Sequence, residues 1–126
     1  MFENTLYTII QFQKSDKQIH AIIKLNPKHE IFEGHFPQNP ILPGVCTMQI
    51  VKEICSKAIE RQLIMKKGDN LKFTSIIIPD SQKEITIAIT ILSQTEESLS
   101  VNAEVVCENI VSFKMKASYQ CLPTSN

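Results

Sequence analysis

The sequence lacks an excess of charge of either sign, since 13 Lys and Arg residues balance 13 Asp and Glu residues. Proteins that bind nucleic acid usually carry a surplus of basic residues, so this balance argues against a nucleic-acid partner. No apolar stretch approaches the roughly 18 residues that a membrane-spanning helix requires. We therefore expect neither nucleic acid nor a membrane among the partners of this protein.

The four cysteines lack the spacing of a metal site or of a redox motif. No CxxC pair occurs, and no arrangement of Cys and His resembles a zinc site. The first residues also lack the basic, apolar and small-residue segments of a secretory signal. We expect a cytoplasmic protein with reduced thiols, and we expect it to need neither a metal nor a cofactor.

The length of 126 residues fits one domain, and the 43% of hydrophobic residues suffices for one core. We find no linker and no internal repeat, and therefore treat residues 1–126 as a single domain. A domain of this size can hold one helix against one sheet but little more.

Several segments alternate between apolar and polar residues, which is typical of strands that have one covered face. Residues 5–14 and Gln18–Leu25 are predicted to form a hairpin. Residues 66–69 are interpreted as a loop, and four further strands are expected after it. The residues Glu108 and Asn109 are predicted to form the tight turn between the last two strands.

Apolar residues recur every three to four positions over residues 44–62, which predicts a helix. The preceding segment, residues 28–43, is irregular and rich in proline. One helix lying on an antiparallel sheet is the simplest way to bury both apolar faces. The sequence therefore predicts the α+β class, with a hairpin, one long helix and a series of antiparallel strands.

The stretch GHFPQNPILPGV, residues 34–45, places a histidine close to the start of this helix. Its three prolines restrict the backbone, so they set the distance from His35 to the helix. No Ser, Thr, Asp or Asn precedes Gly44 to cap the first helical N–H groups. Such groups can bind a carbonyl oxygen that gains negative charge, and a nearby histidine can act as a base. The residues alone leave open whether this is a catalytic site or an ordinary histidine before a helix.

The pattern GHFPxxPxxPGV resembles the signature of the β-hydroxyacyl-acyl carrier protein dehydratases of fatty acid biosynthesis. Phe32 before the signature and the residues Leu71-Lys72-Phe73, which would open a strand, also fit the pattern of that family. The resemblance implies the hotdog fold, in which a curved antiparallel sheet wraps a long central helix. It also implies a lyase that acts as a homodimer or a trimer of dimers, with its active sites at the dimer interface.

The same resemblance implies roles for individual residues. His35 would remove the α-proton of a 3-hydroxyacyl thioester, and the N–H of Gly44 would polarise the thioester carbonyl. Phe36, Val45 and Met48 are candidate substrate-binding residues beside them. The partner implied is acyl carrier protein or coenzyme A, either of which would carry the acyl chain as a thioester.

The sequence departs from this family at Gln49, fourteen positions after His35, where the family has an acidic residue that acts with the histidine of the other subunit. An amide cannot supply the proton that a leaving hydroxide needs, although it can hydrogen-bond to a hydroxyl or to water. In a first hypothesis, His35 passes the α-proton to the leaving hydroxyl and Gln49 orients that hydroxyl, which gives a slower dehydratase. In a second, the chain forms a heterodimer with an acid-bearing relative. In a third, the protein binds or hydrolyses acyl thioesters without dehydrating them.

Several other residues have both a functional and a structural interpretation. Glu53, one helical turn after Gln49, could replace the missing acid, but we interpret it as a solvated or inter-subunit charge. Cys46 could be a nucleophile, but we interpret it as a small packing residue. Met48 lines an acyl tunnel or belongs to the core. A basic cluster is either a docking patch for an acidic carrier protein or a solvated face, and it comprises Lys52, Lys57, Arg61, Lys66 and Lys67.

Overall fold

The computed structural model describes residues 1–34 and 38–124. The elements are β1 (Tyr7–Lys14), β2 (Gln18–Leu25), a 3₁₀ turn (Glu30–Phe32), α1 (Gly44–Ile59), β3 (Leu63–Phe73), β4 (Ile85–Gln94), β5 (Ser98–Cys107) and β6 (Ile110–Cys121). The strands form one antiparallel sheet in the order β1-β2-β4-β5-β6-β3. One helix on one antiparallel sheet is the arrangement that the sequence predicted. Within the described residues, no helix combines the length and the apolar composition that crossing a membrane would require.

The core lies between α1 and the alternating apolar side chains of the sheet. The predicted alternation is confirmed, because the alternate residues from 85 to 91 in β4, from 99 to 105 in β5 and from 113 to 121 in β6 are all buried. From the helix, the apolar residues Cys46, Ile50, Val51, Ile54 and Cys55 complete this cluster. Burying the two apolar faces against each other provides most of the free energy that holds the helix on the sheet.

The turn between β5 and β6 forms at Glu108 and Asn109, as predicted. Both residues have positive φ, 53° and 63°, which is the backbone geometry that a two-residue hairpin favours. The alternation alone would place Ser112 on the polar face of β6, yet its side chain is buried. The register shifts between Val105 and Val106, so Ser112 is the extra residue of a bulge.

The predicted loop at residues 66–69 is wrong, because these residues lie within β3. Gly68 faces Ala117 of β6, and the ladder continues on both sides of this pair with two register irregularities. Long-range pairing with β6 thus overrides the local turn propensity of this segment. Since β3 ends at Phe73, the residues Leu71-Lys72-Phe73 close a strand instead of opening one.

The helix ends at Ile59, before the predicted end at residue 62. Glu60 adopts the left-handed conformation, with φ 56° and ψ 42°, and its N–H donates to the carbonyl of Ser56. The N–H of Arg61 donates to the same carbonyl. This turn pairs a carbonyl at the end of the helix and directs the chain into β3.

The two edges of the sheet are β1 and β3. β3 carries three apolar side chains that are about half exposed: Ile64 (45%), Leu71 (41%) and Phe73 (53%). An edge strand with unpaired backbone groups and apolar side chains is a template for pairing with another chain. β3 therefore has the properties of a strand that can pair with a second subunit.

Candidate active site

The structure places four of the predicted site residues on the first two turns of α1: Gly44, Val45, Met48 and Gln49. The predicted residues His35 and Phe36 lie outside the described residues. Pro43 is the N-cap, in an extended conformation and without a side-chain cap. Within the described part of the chain, neither the N–H of Gly44 nor that of Val45 donates to an acceptor. These amides carry the positive end of the helix dipole and can bind a carbonyl oxygen.

An apolar cavity lies beside Gly44, between the start of α1 and the sheet. Its volume is ≈ 290 Å³, and its wall includes Leu42, Phe73, Ile77 and Phe113. A Cβ atom on Gly44 would lie 2.7 Å from the ring of Phe73, so the lack of a side chain lets this ring approach the helix. The open helix start thus adjoins an apolar chamber, which suits a carbonyl group followed by an acyl chain.

Val45 faces a second cavity on the other side of the helix start. Val45 is 74% exposed, and this helix cavity of ≈ 340 Å³ is lined by Met1, Phe2, Val45, Cys46, Gln49 and Glu53. Met48 instead is half-buried and packs against the core. Val45 and Gln49 could therefore contact a substrate in the helix cavity, whereas Met48 packs against the core on another side of the helix.

The carboxylate of Glu53 lies directly next to Gln49. Its Oε2 accepts a hydrogen bond from Nε2 of Gln49 at 2.8 Å. Residues four apart on a helix are neighbours, which brings the two side chains together. Glu53 is only 5% exposed, so its interpretation as a solvated charge is wrong.

Three further donors satisfy the carboxylate of Glu53. The N–H of Phe2 lies 3.1 Å from Oε1 and 3.0 Å from Oε2, and the N–H of Glu3 donates to Oε1 at 3.0 Å. The hydroxyl of Tyr7 donates to Oε1 at 2.9 Å. Burial and the charge of Glu53 raise the pKa of Tyr7 far above its ordinary value, so this hydroxyl keeps its proton and remains a donor.

One signal in the sequence locates Glu53 in the interior. It lies three residues after Ile50 and seven after Cys46, on the stripe of α1 that faces the core. A carboxylate at such a position is rarely buried without dedicated partners. Those partners, the backbone of Phe2 and the hydroxyl of Tyr7, come 51 and 46 residues earlier and carry no signal that links them to Glu53.

Cys46 is placed as a packing residue and not as a nucleophile. Its side chain is buried, and burial raises the pKa of its thiol, so the reactive thiolate is disfavoured at neutral pH. Over residues 1–34 and 38–124, no group of three or more His, Cys, Asp or Glu side chains is arranged to hold a metal ion.

The basic cluster of the helix and β3 is partly engaged within the chain. Lys57 pairs with Glu3 at 3.4 Å, and Arg61 donates to the carbonyl of Leu122 at 2.7 Å. Lys67 pairs with Asp69 at 3.7 Å. These contacts favour the interpretation as an ordinary charged surface over a dedicated docking patch.

Known proteins resemble this chain along most of its length. The model of the ApeI-like family, described as ApeI dehydratase, matches residues 11–116. The 3-hydroxyacyl-acyl-carrier-protein dehydratase FabZ of Streptococcus mutans is 32% identical over 98 residues, which cover 72% of this chain and 70% of the relative. The match to a FabZ of Streptococcus equi covers less of the relative, 58% of its length.

Solved structures share the fold. The dehydratase heterocomplex ApeI:P from Xenorhabdus doucetiae matches with a TM-score of 0.72 at 18% identity, over 90% of this chain and 96% of the other. A hypothetical thioesterase protein with coenzyme A from Streptococcus pneumoniae matches with a TM-score of 0.66 at 10% identity, over 99% and 94%. At such low identities the likeness shows the fold alone, which is the hotdog fold that the family resemblance implied.

The close approach of Phe73 to Gly44 predicts opposite effects of Gly44→Ala in two backgrounds. With Phe73 present, the added methyl group pushes the ring aside, and we expect a loss of about 1 kcal/mol in the free energy of unfolding. With Phe73→Ala, the same change should stabilise by about 0.4–1 kcal/mol, because alanine restricts the unfolded chain. Urea denaturation at one fixed protein concentration measures both changes. Equal effects in the two backgrounds would contradict the proposed contact.

The partners of two buried tyrosines predict different effects of removing each hydroxyl. Tyr7→Phe deletes a hydrogen bond to a carboxylate and should lower the free energy of unfolding by about 1.5–3 kcal/mol. The matched control is Tyr119→Phe, because the hydroxyl of Tyr119 is buried without a hydrogen-bond partner among the described residues. Its removal should leave stability unchanged or raise it. Thermal and urea denaturation measure the stability of both variants. An equal loss of the free energy of unfolding in the two would contradict the role given to Tyr7.

Proposed function

The chain belongs to the ApeI-like dehydratase family, and on this premise we propose that it removes water from a 3-hydroxyacyl thioester in fatty acid-type biosynthesis. The observation that carries the proposal is the family match over residues 11–116, which contain the signature GHFPxxPxxPGV. The helix that begins at Gly44, within the signature, starts with open N–H groups beside an apolar cavity, which supports a thioester substrate. The product of this reaction is the 2-enoyl thioester.

The proposed chemistry uses His35 as the base. The C–H bond at the α-carbon breaks, and the N–H of Gly44 stabilises the negative charge that moves onto the thioester oxygen. The electron pair then forms the double bond while the C–O bond at the β-carbon breaks. The proton taken by His35 leaves with the hydroxide as water, so the atoms balance without a second acid. Gln49 orients the departing hydroxyl in this scheme.

Acyl carrier protein is the proposed carrier of the acyl chain, since the curated relatives are named for substrates on that protein. Coenzyme A is the alternative, and a structural neighbour that holds it supports this choice. We propose that the acyl chain of the substrate enters the apolar cavity beside Gly44. A cytoplasmic location is part of this proposal, and the four unpaired cysteines support it.

We also propose that two copies of the chain pair along the edge strand β3 and complete the active site together. The half-exposed Leu71 and Phe73 on this strand support such an interface. By the family resemblance, His35 of one subunit would face Gln49 of the partner subunit, at the position where the family has its acid. The alternative is a heterodimer with an acid-bearing relative, and the heterocomplex among the structural neighbours gives a precedent for such an assembly.

His35→Ala tests the proposed reaction directly. We expect interconversion of 3-hydroxyacyl and 2-enoyl thioesters by the unmodified protein, and a loss of at least about a hundredfold in the variant. Absorbance of the conjugated enoyl thioester measures the rate in both directions. The matched control is His20→Ala, since His20 is exposed in β2, and this variant should keep full activity. Release of a free thiol without any enoyl product would instead identify a thioesterase.

A pair of edge-strand variants tests the proposed assembly. Leu71→Glu adds a charge to the edge of β3 and should convert a dimer into monomers that lack activity. Ile10→Glu makes the same chemical change at a half-exposed position of the opposite edge strand, β1, and should leave the dimer intact. Light scattering after gel filtration gives the mass of each. Dissociation by Ile10→Glu alone would place the interface on β1, and a monomer that gains activity only with an acid-bearing relative would favour the heterodimer.

A further inference from the structure

The hydrogen bond between Gln49 and Glu53 determines which atom of Gln49 can meet a ligand. A glutamine amide offers one donor group and one acceptor, and their positions follow from the surrounding hydrogen bonds. Both oxygens of Glu53 already accept from the backbone N–H of Phe2, which can only donate. Glu53 is therefore held as an acceptor, and the group of Gln49 that contacts it is the donor, Nε2.

The amide oxygen of Gln49 is consequently the atom left for a ligand. Within the described residues, no donor contacts this oxygen, and Gln49 lines the helix cavity together with Val45 and Cys46. Rotation of the amide would bring its oxygen against the carboxylate of Glu53, and two acceptors in contact repel each other. The amide is thus fixed in one of its two orientations.

We propose that Glu53 is a positioning residue, which holds Gln49 as a hydrogen-bond acceptor for the 3-hydroxyl group of the substrate. When the oxygen of Gln49 accepts a hydrogen bond from the 3-hydroxyl group, a lone pair of the hydroxyl oxygen points toward the group that protonates it on departure. Orientation of this kind raises the rate because the reacting atoms are held in a productive geometry. The inference rests on the proposed dehydration and names the role of two residues in it.

Glu53 does not itself take the place of the missing acid in this proposal. Its two oxygens accept five hydrogen bonds, from the backbone of Phe2 and Glu3 and from the side chains of Tyr7 and Gln49. A carboxyl group that delivers a proton must hold it on an oxygen facing the substrate, and here both oxygens are committed to donors within the protein. The carboxylate therefore acts through Gln49 and not on the substrate.

The orientation of Gln49 can be tested on the unmodified protein by nuclear magnetic resonance. One proton of the Gln49 side-chain amide should exchange with water at least about tenfold more slowly than the protons of the exposed Gln120, because a hydrogen bond to a buried carboxylate protects it. Gln49→Glu assigns the signal by removing it. Exchange as fast as that of Gln120 would overturn the proposal whatever the activity of the enzyme.

The variant Glu53→Gln should reverse the amide of Gln49. Its new amide keeps an oxygen for the backbone donors and turns its nitrogen toward Gln49, which then offers Nε2 to the substrate. We expect kcat to fall about tenfold to a hundredfold with little change in KM, since the interaction orients the reacting group more than it binds the substrate. Glu60→Gln, at an exposed position at the end of the same helix, is the matched control and should keep full activity.

In the double variant Gln49→Glu with Glu53→Gln, position 49 again offers an acceptor to the substrate. One oxygen of the carboxylate at position 49 accepts from the amide at position 53, and the other oxygen faces the substrate. The reference is Gln49→Glu alone. If Glu53 acts by orienting the amide of Gln49, Glu53→Gln should lower kcat little in this background, whereas a purely structural role predicts the same loss as in the unmodified protein. The same loss in both backgrounds, or a Glu53→Gln variant with unchanged kcat, would overturn the proposal. If the unmodified protein dehydrates no 3-hydroxyacyl thioester, the proposed function fails, while slow exchange at Gln49 would still establish its orientation.

Discussion

The buried carboxylate of Glu53 joins three parts of the chain around the start of the helix. It accepts hydrogen bonds from the backbone of Phe2 and Glu3, from Tyr7 at the start of β1 and from Gln49 on α1. A charge in the interior is strongly unfavourable unless its partners are in place, so the burial of Glu53 depends on all of these segments. The same hydrogen bonds hold the N-terminal residues against the helix, and they form one wall of the helix cavity.

The hydrogen bonds of Glu53 also bear on the lack of an acid at position 49. The resemblance implies an acidic residue at this position, whereas this chain has the neutral amide of Gln49. Its carboxylate, Glu53, lies one helical turn later and is hydrogen-bonded to that amide. Since the carboxylate is already satisfied within the protein, its chemical effect reaches the cavity only through the orientation of Gln49. In the proposed reaction His35 supplies the proton for the leaving hydroxyl, and in the heterodimer alternative a second protein supplies it.

The apolar cavity, the helix start and the sheet edge meet in one region. Phe73 ends the edge strand β3, and its ring contacts Phe113 and lies against the backbone of Gly44. The residues that would pair with a second subunit are therefore close to those that would bind the thioester. This proximity provides a physical reason why assembly and activity should depend on each other, since a shift of the edge strand would also move the wall of the cavity.

Local patterns in the sequence were enough to predict several features of the fold. Alternation in β4 to β6, the helical spacing after Gly44 and the turn at residues 108–109 all predicted the observed elements, and the signature identified where the helix starts. Long-range contacts, by contrast, place residues 66–69 in β3, because their pairing with β6 outweighs a local turn propensity. Long-range contacts also bury Glu53 beside Gln49, since the donors that make this burial possible come from residues about fifty positions away, and no local pattern links them.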